Sequence, residues 1–275
     1  MLLARDTSKT FCFFSLRRVI KVNLIDTHAH LEEVKNLHEA IQRAEMEGVI
    51  AIITMGSDLK SSLWSLKESP PYQTEKLKIY SAIGIHPWSL ASSNINEALR
   101  FIEKNAHHAI AIGEIGLDYW YRDVRKNPEK KEKQRELFRR LLKIAKEKEK
   151  PVSIHSRGAW MDCVEITIEM KIQKAVFHWF SGPKEALKRL LDHGYYISAT
   201  PAAKYSKEHR AAIRDAPLGN ILLETDSPVS YRGEIAEPAH VLKSLSAVAE
   251  IKGESKGKVA EETTENSRHI FGLKI

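Results

Sequence analysis

The chain has 275 residues, of which 43% are hydrophobic and 29% are charged, as expected for a globular protein with an ample core. No apolar run approaches the roughly 18–20 residues that cross a bilayer, so we expect no membrane contact. The formal net charge of +7 favours acidic partners such as nucleic acid. Two cysteines exclude a disulfide framework and a cysteine-rich zinc module, and they fit a cytoplasmic location.

Residues 1–21 precede the first predicted strand and form an N-terminal extension. The apolar patch Phe11–Phe14 is too short for the core of a signal peptide, and no clear cleavage site follows it. We expect this extension to be a disordered arm, or the product of a start codon assigned too far upstream. The remaining residues, 22–275, are predicted to form one domain.

Short apolar runs rich in β-branched residues alternate with segments of helical periodicity along this domain. The predicted strands are Asn23–Asp26, Ile50–Met55, Lys78–Ile83, Ala109–Gly113, Val152–His155, Ala175–His178, Tyr195–Ser198 and Ile221–Glu224. The predicted helices are Leu37–Glu47, Leu59–Lys67, Asn96–Asn105, Lys130–Lys148, Ala159–Glu169, Pro183–His193, Ser206–Ala216, Glu237–Ile251 and Lys256–Phe271. This alternation predicts an α/β fold with a parallel sheet, closed into a (β/α)₈ TIM barrel of the metal-dependent hydrolase type.

Two histidines, His28 and His30, lie at the end of the first predicted strand. Because side chains alternate between the two faces of a strand, residues two apart project on the same side and can share one divalent metal ion. A His-x-His pair alone is common without a metal. Its interpretation therefore depends on what the other strands contribute.

Metal-ligating side chains also occur where four later strands are predicted to end. Glu114 follows the fourth strand, His155 ends the fifth, His178 ends the sixth and Asp226 follows the eighth. Active sites of (β/α)₈ barrels are built at the carboxyl ends of the strands. This repeated placement favours a catalytic metal site over a set of packing residues.

Six candidate ligands exceed the three or four that one metal ion usually takes from a protein. We therefore expect two divalent ions, with Glu114 as the carboxylate able to contact both. Two ions can activate a water molecule and stabilise the attacking and leaving oxygens of a phosphoryl displacement. Mixed histidine and carboxylate ligation suits zinc, magnesium or manganese, and the sequence does not choose among them.

These residues also belong to an ordered set of motifs. The set comprises His28 and His30, Gly84–Pro87, Gly113–Asp118, His155–Arg157, His178–Gly182 and Glu224–Pro228. It resembles the TatD family of metal-dependent deoxyribonucleases, a branch of the amidohydrolase superfamily, over nearly the whole predicted domain. The sequence departs from the family pattern at Gly158, where aspartate is usual, and at Trp179, where cysteine is common.

The resemblance implies a role for each site residue. It assigns one metal ion to His28, His30, Glu114 and Asp226, and the other to Glu114, His155 and His178. It implies that Asp226 orients or deprotonates the attacking water, and that His86 faces the phosphate as a donor or acid. Glu224, on the same strand face as Asp226, is expected to tune His86 or the metal ligands.

Arginine and aromatic residues on the predicted rim loops are candidates for substrate contacts. Arg157 and Arg232 can each bind two phosphate oxygens through the guanidinium group. The run Tyr119–Tyr121 precedes an arginine, a pattern that suits stacking of unpaired bases. The alternative is that these rings pack the loop against the barrel, and for Trp88 we expect packing.

The sequence thus predicts a metal-dependent hydrolase, foremost a deoxyribonuclease of the 3′–5′ exonuclease type that shortens single-stranded DNA. Two alternatives use the same activated water. One is an ester hydrolase that removes a D-amino acid from a charged tRNA, and the other is an amidohydrolase of small molecules. A pure binding module fits poorly, because a full set of metal ligands with a general base has no simple structural rationale.

Overall fold

The computed structural model describes residues 22–91 and 94–275, so the predicted extension at residues 1–21 lies outside the described part. Eight parallel strands pair in sequence order in one sheet that curls into a barrel. The strands are β1 (Leu24–Ala29), β2 (Val49–Met55), β3 (Lys78–Ile83), β4 (Ala111–Gly116), β5 (Val152–His155), β6 (Ala175–Phe177), β7 (Tyr196–Ala199) and β8 (Ile221–Leu223). The predicted TIM-barrel fold is confirmed.

Helices connect successive strands and cover the outside of the barrel. They are α1 (Leu37–Met46), α2 (Leu59–Lys67), α3 (Ile95–Asn105), α4 (Arg122–Arg125), α5 (Pro128–Glu147), α6 (Trp160–Glu169), α7 (Lys184–Leu191), α8 (Lys207–Asp215), α9 (Val241–Lys252) and α10 (Lys256–Phe271). Within the described ranges, no helix has the length and apolar character needed to cross a membrane.

Apolar side chains fill both the inside of the barrel and the layer between sheet and helices. On β1, Leu24 packs outward with the helices, whereas Ile25 belongs to a separate buried cluster with residues of the other strands. Ile270 and Phe271, at the end of α10, join that inner cluster and close the amino-terminal end of the barrel. The opposite, carboxyl end of the strands is left for polar residues.

The barrel closes between β1 and β8 next to the predicted ligands. Ala29 forms a parallel bridge with Ser227. The backbone N–H of Asp226 donates to the carbonyl of His28 at 2.9 Å. Thr27 adds a side-chain hydrogen bond from its hydroxyl to a carbonyl of β8 at 2.9 Å. Closure therefore brings Asp226, near the end of the barrel sequence, beside the first histidine.

Sequence periodicity did not predict a short antiparallel hairpin after β8. Its strands are β9 (Ser230–Tyr231) and β10 (Glu234–Ile235). Arg232 and Gly233 form the turn between them, with φ values of 54° and 90°. A two-residue turn with positive φ at both positions usually carries Asn or Asp before Gly, and here an arginine occupies that place.

Candidate active site

The predicted ligands converge at the carboxyl end of the barrel around the Glu114 carboxylate. A cavity of about 890 Å³ opens there, and five of the predicted ligands line it. They are His30, Glu114, His155, His178 and Asp226. The sixth, His28, lies beneath them with only 1% of its surface exposed.

One oxygen of Glu114 faces the ligands from β1 and from the segment after β8. Its Oε2 lies 3.5 Å from His28 Nε2 and 3.4 Å from His30 Nε2. Asp226 Oδ1 lies 3.6 Å from each of the same two nitrogens. Four donors at about 2.0–2.2 Å from a tetrahedral ion lie about 3.4 Å apart, which is close to this spacing. His28 Nε2 is buried and has no hydrogen-bond partner among the described residues, which is expected of a nitrogen whose lone pair binds a metal ion.

The other oxygen of Glu114 faces the histidines of β5 and β6. Its Oε1 lies 2.8 Å from His155 Nδ1 and 2.9 Å from His178 Nε2. These two nitrogens lie 3.1 Å apart. Glu114 therefore offers one oxygen to each of two adjoining groups of donors, and the residues present fit a pair of divalent ions.

Two further carboxylates lie behind the histidines of the second group. Asp118 Oδ2 lies 3.0 Å from His155 Nε2, and Glu224 Oε1 lies 3.5 Å from His178 Nδ1. A carboxylate behind a ligating histidine fixes its tautomer and orients its other nitrogen toward the metal. Asp118 was not among the predicted site residues. It stands in the Gly113–Asp118 motif, but no strand periodicity relates its side chain to His155.

Glu224 was predicted to tune His86 or the metal ligands. Its carboxylate accepts hydrogen bonds from the Trp179 backbone N–H at 2.9 Å and from the Ser198 hydroxyl at 2.6 Å. In the described part of the chain it contacts His178 and forms no hydrogen bond with His86. Glu224 is therefore placed to position a ligand.

His86 lines the cavity beside the second group of donors. Its Nε2 lies 3.5 Å from Glu114 Oε1, and its donor atoms fall within 4.8 Å of those of Glu114 and His155. Its Nδ1 accepts a hydrogen bond from the Trp88 backbone N–H at 3.1 Å. In the neutral ring Nε2 must then carry the proton. This geometry favours a hydrogen-bond donor facing the cavity over a metal ligand.

The electrostatics of the site favour ionised carboxylates. Burial disfavours charge on Glu114 and Asp226, but the surrounding histidines outweigh it and hold the pKa of each carboxyl group below its usual value. Burial also opposes charge on His178, yet the adjacent Glu114 raises the pKa of that ring well above its usual value. Buried carboxylates that draw protons onto neighbouring imidazoles are suited to a cation, because metal binding displaces those protons.

The two arginines predicted to contact substrate lie in different surroundings. Arg157 lines the cavity, and its Nε donates to Asp118 Oδ2 at 3.0 Å. Arg232 lies in the hairpin turn, with its guanidinium carbon 4.2 Å from the centre of the Tyr205 ring. Among the described residues that line the cavity, Arg232 does not appear. The structure thus brings only one of the two beside the predicted ligands.

Comparisons with known proteins agree on one family. The family model described as "TatD related DNase" matches residues 25–272. The metal-dependent hydrolase YabD of Bacillus subtilis is 32% identical over 91% of this chain and 99% of its own length. Deoxyribonuclease TATDN3 of Homo sapiens is 28% identical over 92% of this chain and 96% of its own length. The crystal structure of the TatD homologue YjjV from Escherichia coli superposes with a TM-score of 0.79 at 26% identity, over 91% of this chain and 98% of that one.

Proposed function

The chain belongs to the TatD-related DNase family and is a metal-dependent hydrolase, and we propose that it hydrolyses phosphodiester bonds of DNA at the Glu114 site. The finer proposal is an exonuclease of the 3′–5′ type acting on single-stranded DNA with two zinc, magnesium or manganese ions. A cytoplasmic location stays a prediction.

One observation carries this proposal: the two oxygens of Glu114 face two separate groups of donors. Oε2 faces His28 and His30 at 3.5 and 3.4 Å, and Oε1 faces His155 and His178 at 2.8 and 2.9 Å. A single structural metal site would need only one of these groups. A pair of ions joined by a carboxylate is the arrangement that two-metal phosphodiester hydrolysis uses.

We assign one proton transfer and one hydrogen bond to two residues that line the cavity. Bound divalent ions would lower the pKa of water and neutralise charge on the phosphate. Asp226, ionised because its histidine neighbours lower its pKa, accepts the proton of the attacking water. The water oxygen bonds to phosphorus as the bond from phosphorus to the leaving oxygen breaks. His86 is neutral, because burial lowers its pKa to about 3, and its Nε2–H donates a hydrogen bond to an oxygen of the phosphate, while the leaving oxygen takes its proton from solvent water.

The size of the cavity supports a substrate larger than a phosphate ion. Its volume of about 890 Å³ lies near the upper end of the range of about 300–1,000 Å³ found for ligand pockets. Tryptophan rings and Arg157 share its lining with the metal ligands. This lining fits a nucleotide better than a small cyclic amide. Neither the tRNA deacylase nor the amidohydrolase alternative is favoured by a specific contact.

A substrate panel tests the proposed function directly. The purified chain, stripped of metal and then supplied separately with zinc, magnesium or manganese, is assayed on single-stranded DNA, duplex DNA, aminoacylated tRNA and a small amide. We expect nucleotide release from single-stranded DNA that requires a metal. Amino-acid release from tRNA without DNA hydrolysis would overturn the phosphodiesterase proposal.

Asp226→Asn tests the assigned proton acceptor. We expect turnover to fall about 10²–10⁴-fold with little change in thermal stability, because the amide keeps the shape of the side chain but cannot take the proton. The control is Asp215→Asn, a carboxyl at the end of α8 that pairs with Arg214 away from the cavity. Near-normal turnover in Asp226→Asn would exclude this role.

A further inference from the structure

Large aromatic side chains are exposed beside the cavity. Trp88, Trp120 and Tyr121 expose 55%, 58% and 48% of their surfaces. They make up three of the six large hydrophobic side chains that are exposed in the described part of the chain. Clustered exposed apolar surface next to a polar cavity marks a binding surface more often than a packing defect. For Trp88 this exposure goes against the packing role expected from the sequence.

Two of these rings form an ordered surface together with Arg157. The Trp88 and Tyr121 ring centres lie 5.6 Å apart with the planes inclined by 62°. The guanidinium carbon of Arg157 lies 5.2 Å from the Trp88 ring centre and 5.0 Å from the Tyr121 ring centre. We call Trp88, Tyr121 and Arg157 the aromatic platform.

Asp118, whose side chain is fully buried, holds two members of the aromatic platform, Trp88 and Arg157, in place. Its Oδ2 accepts hydrogen bonds from Trp88 Nε1 and Arg157 Nε, both at 3.0 Å. The same oxygen lies 3.0 Å from His155 Nε2. The platform is therefore preorganised and tied to one of the predicted metal ligands, which reduces the conformational entropy that binding would cost.

The aromatic platform adjoins the short basic helix α4. Tyr121 directly precedes α4, which begins with Arg122 and ends with Arg125. Neither arginine has an ion-pair partner among residues 22–91 and 94–275, and both are exposed. A ligand that extended from the cavity over α4 would contact first the predicted metal ligands, then the aromatic rings and then the two unpaired arginines. Proteins that bind single-stranded nucleic acid combine these same elements.

We propose that the aromatic platform binds an unpaired nucleobase next to the phosphodiester that is cleaved, and that the sugar-phosphate backbone continues over α4. This inference rests on the proposed function and specifies its substrate as a strand with unpaired bases. In a duplex each base is already stacked and paired, so its face is not free to meet the platform. The platform would therefore select single strands or frayed ends.

The test is equilibrium binding of a short labelled single-stranded oligodeoxynucleotide in EDTA, so that no hydrolysis occurs. Wild type is compared with Tyr121→Ala, with the conservative Tyr121→Phe, and with Met46→Ala. Met46 is a suitable control because it is 77% exposed and lies at the end of α1, just before β2 begins at the amino-terminal end of the barrel. Each protein is also tested with a matched abasic strand, which keeps the phosphates but lacks bases to stack.

We expect Tyr121→Ala to weaken binding of the base-bearing strand about 5- to 150-fold, the range for losing one stacked base. Tyr121→Phe and Met46→Ala should bind that strand like wild type, and all four proteins should bind the abasic strand equally weakly. Equal binding of both strands by wild type, or an unchanged affinity in Tyr121→Ala, would overturn the proposal.

Salt dependence tests the route over α4. Each phosphate contact to a single strand contributes about 0.7 to the slope of log affinity against log salt. We expect Arg125→Ala to reduce the slope by about that amount, while Lys67→Ala, an exposed charge at the end of α2, leaves it unchanged. An unaltered slope in Arg125→Ala would remove α4 from the site. Binding without metal-dependent hydrolysis would instead contradict the proposed function and leave this inference standing.

Discussion

Asp118 connects the proposed metal site to the proposed substrate-binding surface. Its Oδ2 lies 3.0 Å from His155 Nε2, from Trp88 Nε1 and from Arg157 Nε. Burial would raise the pKa of this carboxyl group, but the hydrogen bond from His155 and the nearby Arg157 charge lower it to about 2. Asp118 is therefore anionic over the whole working pH range and keeps His155 Nδ1 free to act as a ligand.

Asp118→Asn should weaken metal binding and activity about 10- to 100-fold, the usual cost of losing the carboxylate behind a ligating histidine. Metal affinity by isothermal titration calorimetry and the rate of DNA hydrolysis measure the two effects separately. Asp215→Asn is again the control, because Asp215 lies at the end of α8, away from the cavity, and pairs with Arg214. If the two variants behaved alike, Asp118 would not position His155.

At the scale of elements, the loop after β3 is packed directly on the backbone of β4. An ideal Cβ built on Gly84 would lie 2.5 Å from the carbonyl oxygen of Glu114 and 2.6 Å from the carbonyl carbon of Gly113. Both neighbours are backbone atoms and cannot rotate away. The absence of a side chain at Gly84 therefore allows β4 to present Glu114 in its observed place.

Gly84→Ala should lower the free energy of unfolding by about 1–3 kcal/mol, as overpacking does, and should also lower activity because Glu114 is displaced. Thermal unfolding and DNA hydrolysis are the measurements. Gly257→Ala is the control, since its nearest contact would be Ser255 Oγ at 4.0 Å and alanine favours a helix. Stability and activity in Gly84→Ala equal to those of Gly257→Ala would contradict this role of Gly84.

A buried histidine links α8 to the loops after β6 and β7. His209 Nδ1 donates to the Phe180 carbonyl at 2.8 Å, and its Nε2 accepts from the Thr200 backbone N–H at 3.1 Å. These bonds suit the neutral ring, because a proton on Nε2 would meet another donor. Burial lowers the pKa of His209 to about 4, from 6.5 for an unperturbed histidine.

This pKa shift predicts a loss of stability in acid. Below about pH 6.5 the unfolded chain binds a proton at His209 that the folded chain does not take until about pH 4, so folding weakens progressively through that window. The full effect is about 3 kcal/mol. His209→Gln, whose amide can also donate and accept, should flatten this part of the stability–pH curve measured by urea unfolding. Parallel curves for the variant and wild type would contradict the assignment.

At the scale of the whole molecule, local patterns were sufficient to predict the barrel and to place the candidate ligands at its rim. Runs of β-branched residues predicted the strands, and polar residues at the strand ends predicted the rim of the barrel. His155 and Glu114 could therefore be placed at the rim without knowledge of their contacts. The first strand was predicted to end at Asp26, before His28. In the structure β1 continues to Ala29 and includes His28, because pairing with β2 and the bridge to Ser227 extend it.

Features that depend on contacts between distant segments were not predictable in the same way. The hydrogen bonds of Asp118 depend on where the loops after β3, β4 and β5 meet, and no single segment encodes that meeting point. Exposure of Trp88 is likewise a property of the assembled rim. Arg157 and Arg232 looked equivalent in sequence, yet only Arg157 reaches the cavity.

The most direct test of whether Glu114 joins two ion sites is the number of divalent ions bound per chain. Elemental mass spectrometry measures this number, and DNA hydrolysis is assayed on the same samples. Zinc- or manganese-loaded wild type should contain about two ions per chain at full activity. His178→Ala should retain about one ion and lose activity, because the donors facing Glu114 Oε2 stay intact. Full activity with a single ion per chain, or two ions bound in His178→Ala, would contradict the account.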